Sequence, residues 1–381
     1  MHDGNIDRRL SKASPLLLTS LVLLTTSMTL HASENFRTRQ SAVGSFGGDI
    51  AVTADKPGTF GTLSVTSIQI KSVKDGNGED LRSPTTVANL PSPAPAGAKL
   101  NFSSTTPINF QQTQNQINVL AGYLSENSYY GGRVAVAINV PLISLSRTVS
   151  MTPPTGSLVL ANGVNAGPNV ALTNAVVNNF TTVNNHDVTG VGDTELSTVW
   201  IRHQDRMKIA AGVSIYLPTG DYDKSRGPNP GFGDFYTIRP GVAVTYALNP
   251  DQSSGGWDAG VTLAGRLSYG MNTKNKETNY TSGDFVYVEL AAAKVSGNWS
   301  YGTNLLTIQQ VTSDTGLVSS NNCLQGVDAN GCRFKTNGIG PFVAYKFPNK
   351  ESGFNLSYNQ NFGGVNALVV KAVQARFVKA W

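Results

Sequence analysis

The catalytic chemistry open to this chain depends first on two histidines. Beyond residue 33, His186 and His203 are the only histidines, and a serine hydrolase needs one of them in hydrogen-bond contact with a nucleophile and with an acid. The strand pattern derived below places His186 in a long insert and His203 beside a short turn, at opposite ends of the molecule. We therefore predict no catalytic residues and no enzymatic activity.

The two cysteines offer a different chemistry. Cys323 and Cys332 lie close together in a polar segment rich in Asn and Gly. In an exported protein such a pair is typical of a disulfide that closes one loop, since exposed free thiols, the alternative, are oxidised outside the cytoplasm. No histidine lies nearby, so we predict a disulfide rather than a metal site.

Two acidic clusters have the alternating oxygen ligands that calcium uses. They are residues 75–80 (DGNGED) and the pair Asp221 and Asp223 beside Lys224. Neither fits the full twelve-residue calcium loop, whereas Asp, Asn and Gly favour solvated turns. We predict turns at both places, and neither a metal nor a cofactor.

One row of polar residues has the spacing of a strand face. Residues 354–362 place Asn355, Ser357, Asn359 and Asn361 on one side of an extended chain. Four polar side chains in line cannot enter an apolar core without partners, but they can face the water of a barrel lumen. Residues 208–217 and 257–269 alternate in the same way, with one apolar face.

Comparable segments recur along most of the chain and define its fold. We predict about twelve strands, at approximately 61–73, 109–124, 132–144, 193–203, 207–217, 235–247, 257–269, 284–295, 298–311, 335–347, 353–362 and 367–381. Their links alternate between long and short, and only the last long position, 363–366, is short. An even strand number with long extracellular loops and short periplasmic turns is typical of bacterial membrane barrels. The predicted fold is therefore an all-β, antiparallel transmembrane β-barrel, with a soluble β-sandwich as the alternative.

Both ends of the chain carry signals for export to the outer membrane. Residues 1–33 combine a basic start, an apolar stretch and small residues, which is the pattern of a secretory signal peptide. The densest apolar run, 16–24, is shorter than the ~20 residues of a membrane-spanning helix. The last strand ends at Trp381, and the barrel-assembly machinery of outer membranes favours an aromatic last residue, although Lys379 interrupts the apolar face. The predicted organisation is a signal peptide (1–33), an amino-terminal segment (34–60) and a barrel (61–381).

The inward faces of the strands define a candidate site. With the apolar faces toward lipid, the ionisable residues predicted to line the lumen are Arg133, Lys208, Tyr216, Arg239, Asp258, Arg266, Glu289, Lys346 and Arg376. Most are cationic, and a basic lumen favours anionic solutes such as aromatic carboxylates. The alternative is an interior network of ion pairs and amides that fills the barrel. The net charge of +5 is small and dispersed, which disfavours nucleic acid as a partner.

Two further segments bear on access to the lumen. Residues 34–60 are rich in Gly and small residues, so we expect them to plug the lumen or to lie at its periplasmic mouth, with a disordered tail as the alternative. The insert 145–192 has only Arg147 and Asp187 as charges and is rich in Val, Leu and Ala. An exposed loop of that composition is unusual, and we expect it to fold over the mouth or into the barrel and to contact the ligand.

Several sequence blocks, most of them in the second half, carry a family resemblance. The blocks are SAVGSFGG at 41–48, GVGD at 190–193, IYLPTGDYDK at 215–224, RPGVAVTY at 239–246, NTKNKETNYTSGD at 272–284, QQVTSD at 309–314, IGP at 339–341 and RFVKAW at 376–381. In these blocks the chain resembles the SphA-like outer-membrane transporters named for the meta-pathway of phenol degradation. The resemblance implies an outer-membrane barrel that admits hydrophobic or aromatic carbon sources, and it implies no catalytic residues. The insert 145–192 departs from the family.

The sequence thus predicts a passive outer-membrane channel for small hydrophobic or aromatic compounds. Its expected partners are membrane lipid, those small molecules and, through Trp381, the barrel-assembly machinery. Two alternatives remain: a structural or surface-interaction barrel without a conducting path, and an outer-membrane hydrolase.

Overall fold

A computed structural model describes residues 38–39, 46–47, 57–88, 90, 92–316, 333–348 and 351–381. The predicted signal peptide and the predicted disulfide between Cys323 and Cys332 lie outside the described residues, so both stay predictions. Within these ranges no helix has the length and hydropathy needed to cross a membrane.

The described chain is built mainly of β-strands. In chain order the elements are β1 (Gly58–Lys74), β2 (Thr86–Ala88), β3 (Lys99–Phe102), β4 (Ile108–Leu124), β5 (Arg133–Met151), β6 (Gly156–Val159), β7 (Asn165–Pro168), α1 (Val170–Asn184), β8 (His186–Val191), β9 (Glu195–Gln204), β10 (Met207–Tyr216), β11 (Thr237–Ala247), β12 (Val261–Asn272), β13 (Phe285–Ser296), β14 (Trp299–Gln310), β15 (Lys335–Lys346), β16 (Ser352–Val365) and β17 (Ala367–Ala380).

Twelve of these strands close into an antiparallel barrel, as predicted. They are β1, β4, β5 and β9 to β17, each paired with its neighbours in the order of the chain. The first strand pairs with the last, with Phe60 opposite Ala380 and Leu63 opposite Phe377. On the other side β1 pairs with β4, and β4 pairs with β5. The strand β8 pairs with the outer part of β5, beside β9.

The two faces of the barrel wall have opposite chemistry. Outward side chains such as Leu63, Val119 and Leu267 are large, apolar and about half exposed. The inward row Asn355, Ser357, Asn359 and Asn361 is buried, as its spacing predicts. Aromatic rings also gather near the end that carries the chain termini, where Trp299 and Tyr345 lie 4.7 Å apart between ring centroids. An apolar exterior with an aromatic girdle is the arrangement that lipid requires.

The lipid face can be tested at Leu267, which is 49% exposed near the middle of β12. We expect Leu267→Arg to destabilise the barrel in lipid vesicles by about 2–4 kcal/mol, because a charge at the bilayer midplane loses its hydration. Urea titration of the vesicle-embedded protein measures this loss. The adjacent Ser268→Arg is the matched control, since Ser268 faces the lumen, and equal losses for the two variants would contradict the assignment of the faces.

A folded body, which we call the outer cap, stands on the end of the barrel opposite the chain termini. It comprises residues 75–107 and 152–185. Four short strands, β2, β3, β6 and β7, form its sheet, and α1 packs its apolar side against this sheet and against the outer ends of the barrel strands through Leu172, Val176, Val177 and Phe180. The side chain of Asn169 caps the helix by accepting from the Leu172 N–H. Residues 152–185 of the insert 145–192 thus fold at the mouth, whereas 145–151 and 186–191 belong to β5 and β8; contact of the insert with a ligand stays a prediction.

Candidate functional site: the barrel lumen

The lumen contains two adjoining cavities. The larger, of about 450 Å³, lies toward the end with the chain termini, which we call the periplasmic side because the short turns lie there. The smaller, of about 240 Å³, lies toward the outer cap. Asn118, Asn139 and Glu195 line both cavities. The two spaces therefore meet at these residues, midway along the lumen.

The structure brings five of the nine predicted residues into the cavity walls. Lys208, Arg239, Arg266 and Arg376 line the periplasmic-side cavity, and Tyr216 lines the outer-side cavity. Glu289 is fully buried and bonded to Arg266.

The other three predicted lumen residues lie at the periplasmic ends of the strands. Arg133 begins β5 and lies in an exposed depression with His203, and Lys346 ends β15. The prediction for Asp258 was wrong, because this residue lies in a turn before β12 begins at Val261. Gly260 adopts a positive φ of 68° there, which interrupts the extended chain that the apolar alternation implied.

Carboxylates of the described residues hold Arg239 and Arg266. The Arg239 Nη2 atom lies 3.0 Å from Glu195 Oε1, and its guanidinium lies 5.2 Å from the ring centroid of Tyr216. Arg266 forms an ion pair with Glu289 and stacks near Tyr287. Part of the lumen is therefore filled by an interior network of ion pairs, which was the alternative to a basic lumen in the sequence analysis.

An amino-terminal arginine occupies the outer-side cavity. Arg39 is almost completely buried, and its Nε donates to Asp193 Oδ2 at 2.9 Å while its Nη2 lies 2.8 Å from the same oxygen. Its Nη groups also donate to the carbonyl oxygens of Gly233 and Phe235, and its guanidinium lies 3.8 Å from the centroid of the Phe235 ring. Arg39 thus anchors the amino-terminal segment to the wall by a buried ion pair and several hydrogen bonds.

A second contact of the same segment lies deeper in the lumen. Phe46 is buried against Ala264 and Ala291, and the guanidinium of Arg266 lies 4.9 Å from its ring centroid. The backbone N–H of Gly47 donates to Asn304 Oδ1 at 2.8 Å. Sequence reasoning did not single out Arg39, Phe46 or Asp193. The available signals were that Arg39 and Phe46 are a basic and an aromatic residue in a segment of small residues, and that Asp193 is the acid of the GVGD block.

A comparison with known protein families decides where the chain belongs. The model of the family "Putative MetA-pathway of phenol degradation" matches residues 99–377, which is most of the chain. The chain belongs to this family. No curated protein matches it.

A solved structure supports the barrel fold of this member of the phenol-degradation family. An outer membrane channel from Pseudomonas putida F1 has a TM-score of 0.59 at 11% identity, covering 87% of this chain and 98% of that one. The β domain of the Bordetella autotransporter BrkA has a TM-score of 0.41 at 9% identity, covering 86% and 100%. The monoaromatic hydrocarbon channel CymD has a TM-score of 0.38 at 10% identity, covering 92% and 97%. At 11% identity the first likeness shows the fold alone.

The GVGD and IYLPTGDYDK blocks, which carry the resemblance to the phenol-degradation family, contact each other at the outer end. In GVGD, Asp193 Oδ1 accepts from the Gly220 N–H of the IYLPTGDYDK block at 3.0 Å, and the Val191 N–H donates to Asp221 Oδ2. A Cβ at Gly190 would lie 1.9 Å from that Asp221 oxygen, so only glycine permits this approach. These blocks therefore join the loops around Arg39.

The QQVTSD and NTKNKETNYTSGD blocks of the family meet in the same manner. Asp314 accepts from the Gly283 N–H at 2.6 Å, from the Tyr280 hydroxyl and from Gln310 Nε2. One buried carboxylate thus holds two outer loops together. These blocks have a structural role in this chain.

The acidic clusters proved to be turns, as predicted. Asp75 Oδ1 accepts from the backbone N–H groups of Asn77 and Glu79 at 2.8 and 2.9 Å. The hydrogen bonds from the Ser225 hydroxyl and N–H hold the pKa of Asp223 below its usual value. In both cases the carboxylate oxygens stabilise the local backbone.

The two histidines lie far apart, as the topology predicts. His186 begins β8 and pairs with Arg147 near the outer end of β5. His203 lies near the last residue of β9, opposite Lys208, at the periplasmic end. They cannot share one reaction centre.

Proposed function

We propose that this protein is an outer-membrane channel through which small hydrophobic or aromatic compounds, of the kind consumed in phenol degradation, enter the cell passively. The observation that carries this proposal is the pair of adjoining cavities within a closed barrel whose exterior is apolar. Membership of the phenol-degradation family gives the substrate class.

The walls of the periplasmic-side cavity support entry of such molecules. Its apolar lining includes Phe60, Leu120, Leu124, Val199 and Ile201. Sites for small organic molecules are typically a few hundred Å³ in volume and mostly apolar, with a few polar groups that set orientation. A ring-sized solute fits both the volume and the chemistry of this cavity.

The amino-terminal segment is part of the same proposal. Arg39 in the outer-side cavity and Phe46 against the periplasmic-side cavity support a plug formed by residues 34–60. A plug on the solute path requires that its contacts open during transport. The buried ion pair between Arg39 and Asp193 is one of the contacts that must open.

The deciding experiment is growth of a deletion strain on a panel of aromatic carbon sources at limiting concentration. We expect slower growth on at least one phenol-derived source, restored by the intact gene, and unchanged growth on succinate. Planar-bilayer recording of the purified protein is the second measurement. A barrel that conducts no ions, in a strain that grows normally on every source, would refute the channel and leave the structural barrel as the function.

The hydrolase alternative has its own test. An ester or peptide hydrolase would lose activity on changing His186 or His203 to Ala. The separation of these two residues gives no support for such an activity.

A further inference from the structure

We propose that the periplasmic-side cavity selects solutes that combine an apolar ring with an anionic group, such as a carboxylate or a sulfonate. This inference rests on the proposed channel function and specifies the chemistry of the solute.

The charges around the cavity are unequal. Its described lining holds four cations, Lys208, Arg239, Arg266 and Arg376, and one carboxylate, Glu195. The buried Glu289 pairs with Arg266, so four positive charges stand against two negative ones among the described residues. Walls of low dielectric constant concentrate the field of such a set within the cavity. An anion entering this space gains favourable energy, whereas a cation of the same size is repelled.

The cations lie at successive levels of the lumen. Arg239 lies near the outer end of β11, opposite Ser214. Arg266 lies in the middle of β12, opposite Ala243. Lys208 and Arg376 lie toward the periplasmic ends of β10 and β17. An anionic group moving inward therefore leaves one positive charge as it approaches the next, which favours both binding and release.

The apolar wall and the cationic wall occupy different sectors of the cavity. Phe60, Leu120, Leu124, Val199 and Ile201 project from β1, β4 and β9, whereas three of the cations project from β10, β11 and β12. On the cationic side the lining between the charges is small: Ala210, Gly212, Gly241 and Ala243. A solute that places its ring on the first sector directs its anionic group toward the second.

Aromatic rings hold the two arginines of this wall in place. The guanidinium of Arg239 lies 5.2 Å from the Tyr216 ring centroid, and that of Arg266 lies 4.9 Å from Phe46 and 5.2 Å from Tyr287. Stacking fixes the plane of a guanidinium and leaves its positive charge in position. The anionic group therefore meets a preorganised site.

The test compares three ionic probes that do not cross lipid readily: benzenesulfonate, methanesulfonate and benzyltrimethylammonium. Their permeabilities through the purified full chain are obtained from reversal potentials in planar bilayers. The wild-type protein should conduct benzenesulfonate better than either of the other probes. The first comparison tests the ring, and the second tests the sign of the charge.

The matched variants are Lys208→Gln with Arg376→Gln, and the control Lys371→Gln. Lys208 and Arg376 lie toward the periplasmic ends of their strands, whereas loss of Arg239 or Arg266 would break the ion pair with Glu195 or Glu289. Lys371 lies on the same strand as Arg376 but on its outward face. We expect the double variant to lose about tenfold in the benzenesulfonate to benzyltrimethylammonium ratio, and the control to keep the wild-type ratio.

Four outcomes would overturn the inference. Equal permeability of the two aromatic probes in the wild type, or an equal loss of both in the double variant, refutes charge selection while the channel stands. Equal permeability of the two sulfonates refutes the role of the ring. Conduction of no probe refutes the channel itself and the inference with it. The wild-type ratios decide the matter even if the double variant does not fold.

Discussion

Replacing Asp193 with Asn is expected to raise the conductance of the purified channel several-fold. The substitution removes the charge that pairs with the buried Arg39 guanidinium, and loss of one partner of a buried ion pair costs about 3–5 kcal/mol. Each 1.4 kcal/mol or so is a tenfold change in an equilibrium constant, so the anchored state should lose most of its population. Single-channel recording in planar bilayers measures the result.

Two further variants isolate the anchor from the loops around it. Asp193 also accepts from the backbone N–H groups of Gly220 and Phe232, so a rearranged loop would be a second explanation for a change in conductance. Arg39→Gln leaves those two bonds intact and should give the same increase. Asp187→Asn, at an exposed position of β8, is the control for loss of one negative charge. Wild-type conductance in both anchor variants, with the barrel folded, would refute the plug.

Phe180→Ala is expected to release the outer cap from the barrel. Phe180 is 1% exposed and packs in one cluster with Ile70, Phe110 and Val149 from the outer ends of β1, β4 and β5. Truncating a buried Phe to Ala costs about 3–5 kcal/mol, and this loss falls on the contact between α1 and the barrel strands. Cleavage between residues 152 and 185 should therefore become much faster under limited proteolysis.

The barrel serves as the internal reference for this experiment. Its heat-modifiable migration on gels should be unchanged in Phe180→Ala, since the twelve strands pair independently of the helix. Asn178→Ala, on the exposed side of the same helix, should show wild-type proteolysis. Unchanged cleavage in Phe180→Ala would mean that the cap is held mainly by its own sheet.

The barrel was predictable from sequence because its wall is a single layer of strands. Each strand separates lipid from lumen, so side-chain chemistry alternates with a period of two, as at Asn355 to Asn361. The end of β5 was not found: it continues beyond residue 144 to Met151. There the outer cap replaces the lumen on the inward side, so Leu145, Val149 and Met151 are buried while the outward Ser146, Thr148 and Ser150 are exposed. The apolar and polar faces are therefore exchanged relative to the membrane part of the strand.

The helix α1 shows the limit of local preference. Its sequence, VALTNAVVNNFTTVN, is rich in β-branched residues and Asn, which are weak helix formers. The helix is stabilised by tertiary burial of Leu172, Val176, Val177 and Phe180, which share one face. A preference that depends on a partner surface cannot be derived from the segment alone.

The candidate site was predicted in part for the same reason. The alternation of inward and outward side chains along each strand placed Lys208, Arg239, Arg266 and Arg376 inward. The structure puts all four in the lining of one cavity. This alternation does not reveal which charges pair across strands, such as Arg239 with Glu195. It also gives no information about Arg39, which lies before the first strand and outside any repeating pattern.

The length of β5 also sets the shape that the molecule presents to the outside. This strand has 19 residues, whereas β9 and β10 have 10 each, and a tilted membrane strand needs only about 9–11. At roughly 3.3 Å per residue and a tilt near 45°, the excess raises one sector of the wall roughly 20 Å above the bilayer. The wall is therefore taller beside β1, β4 and β5 than beside β9 and β10, and the outer cap packs on this taller sector through Phe180.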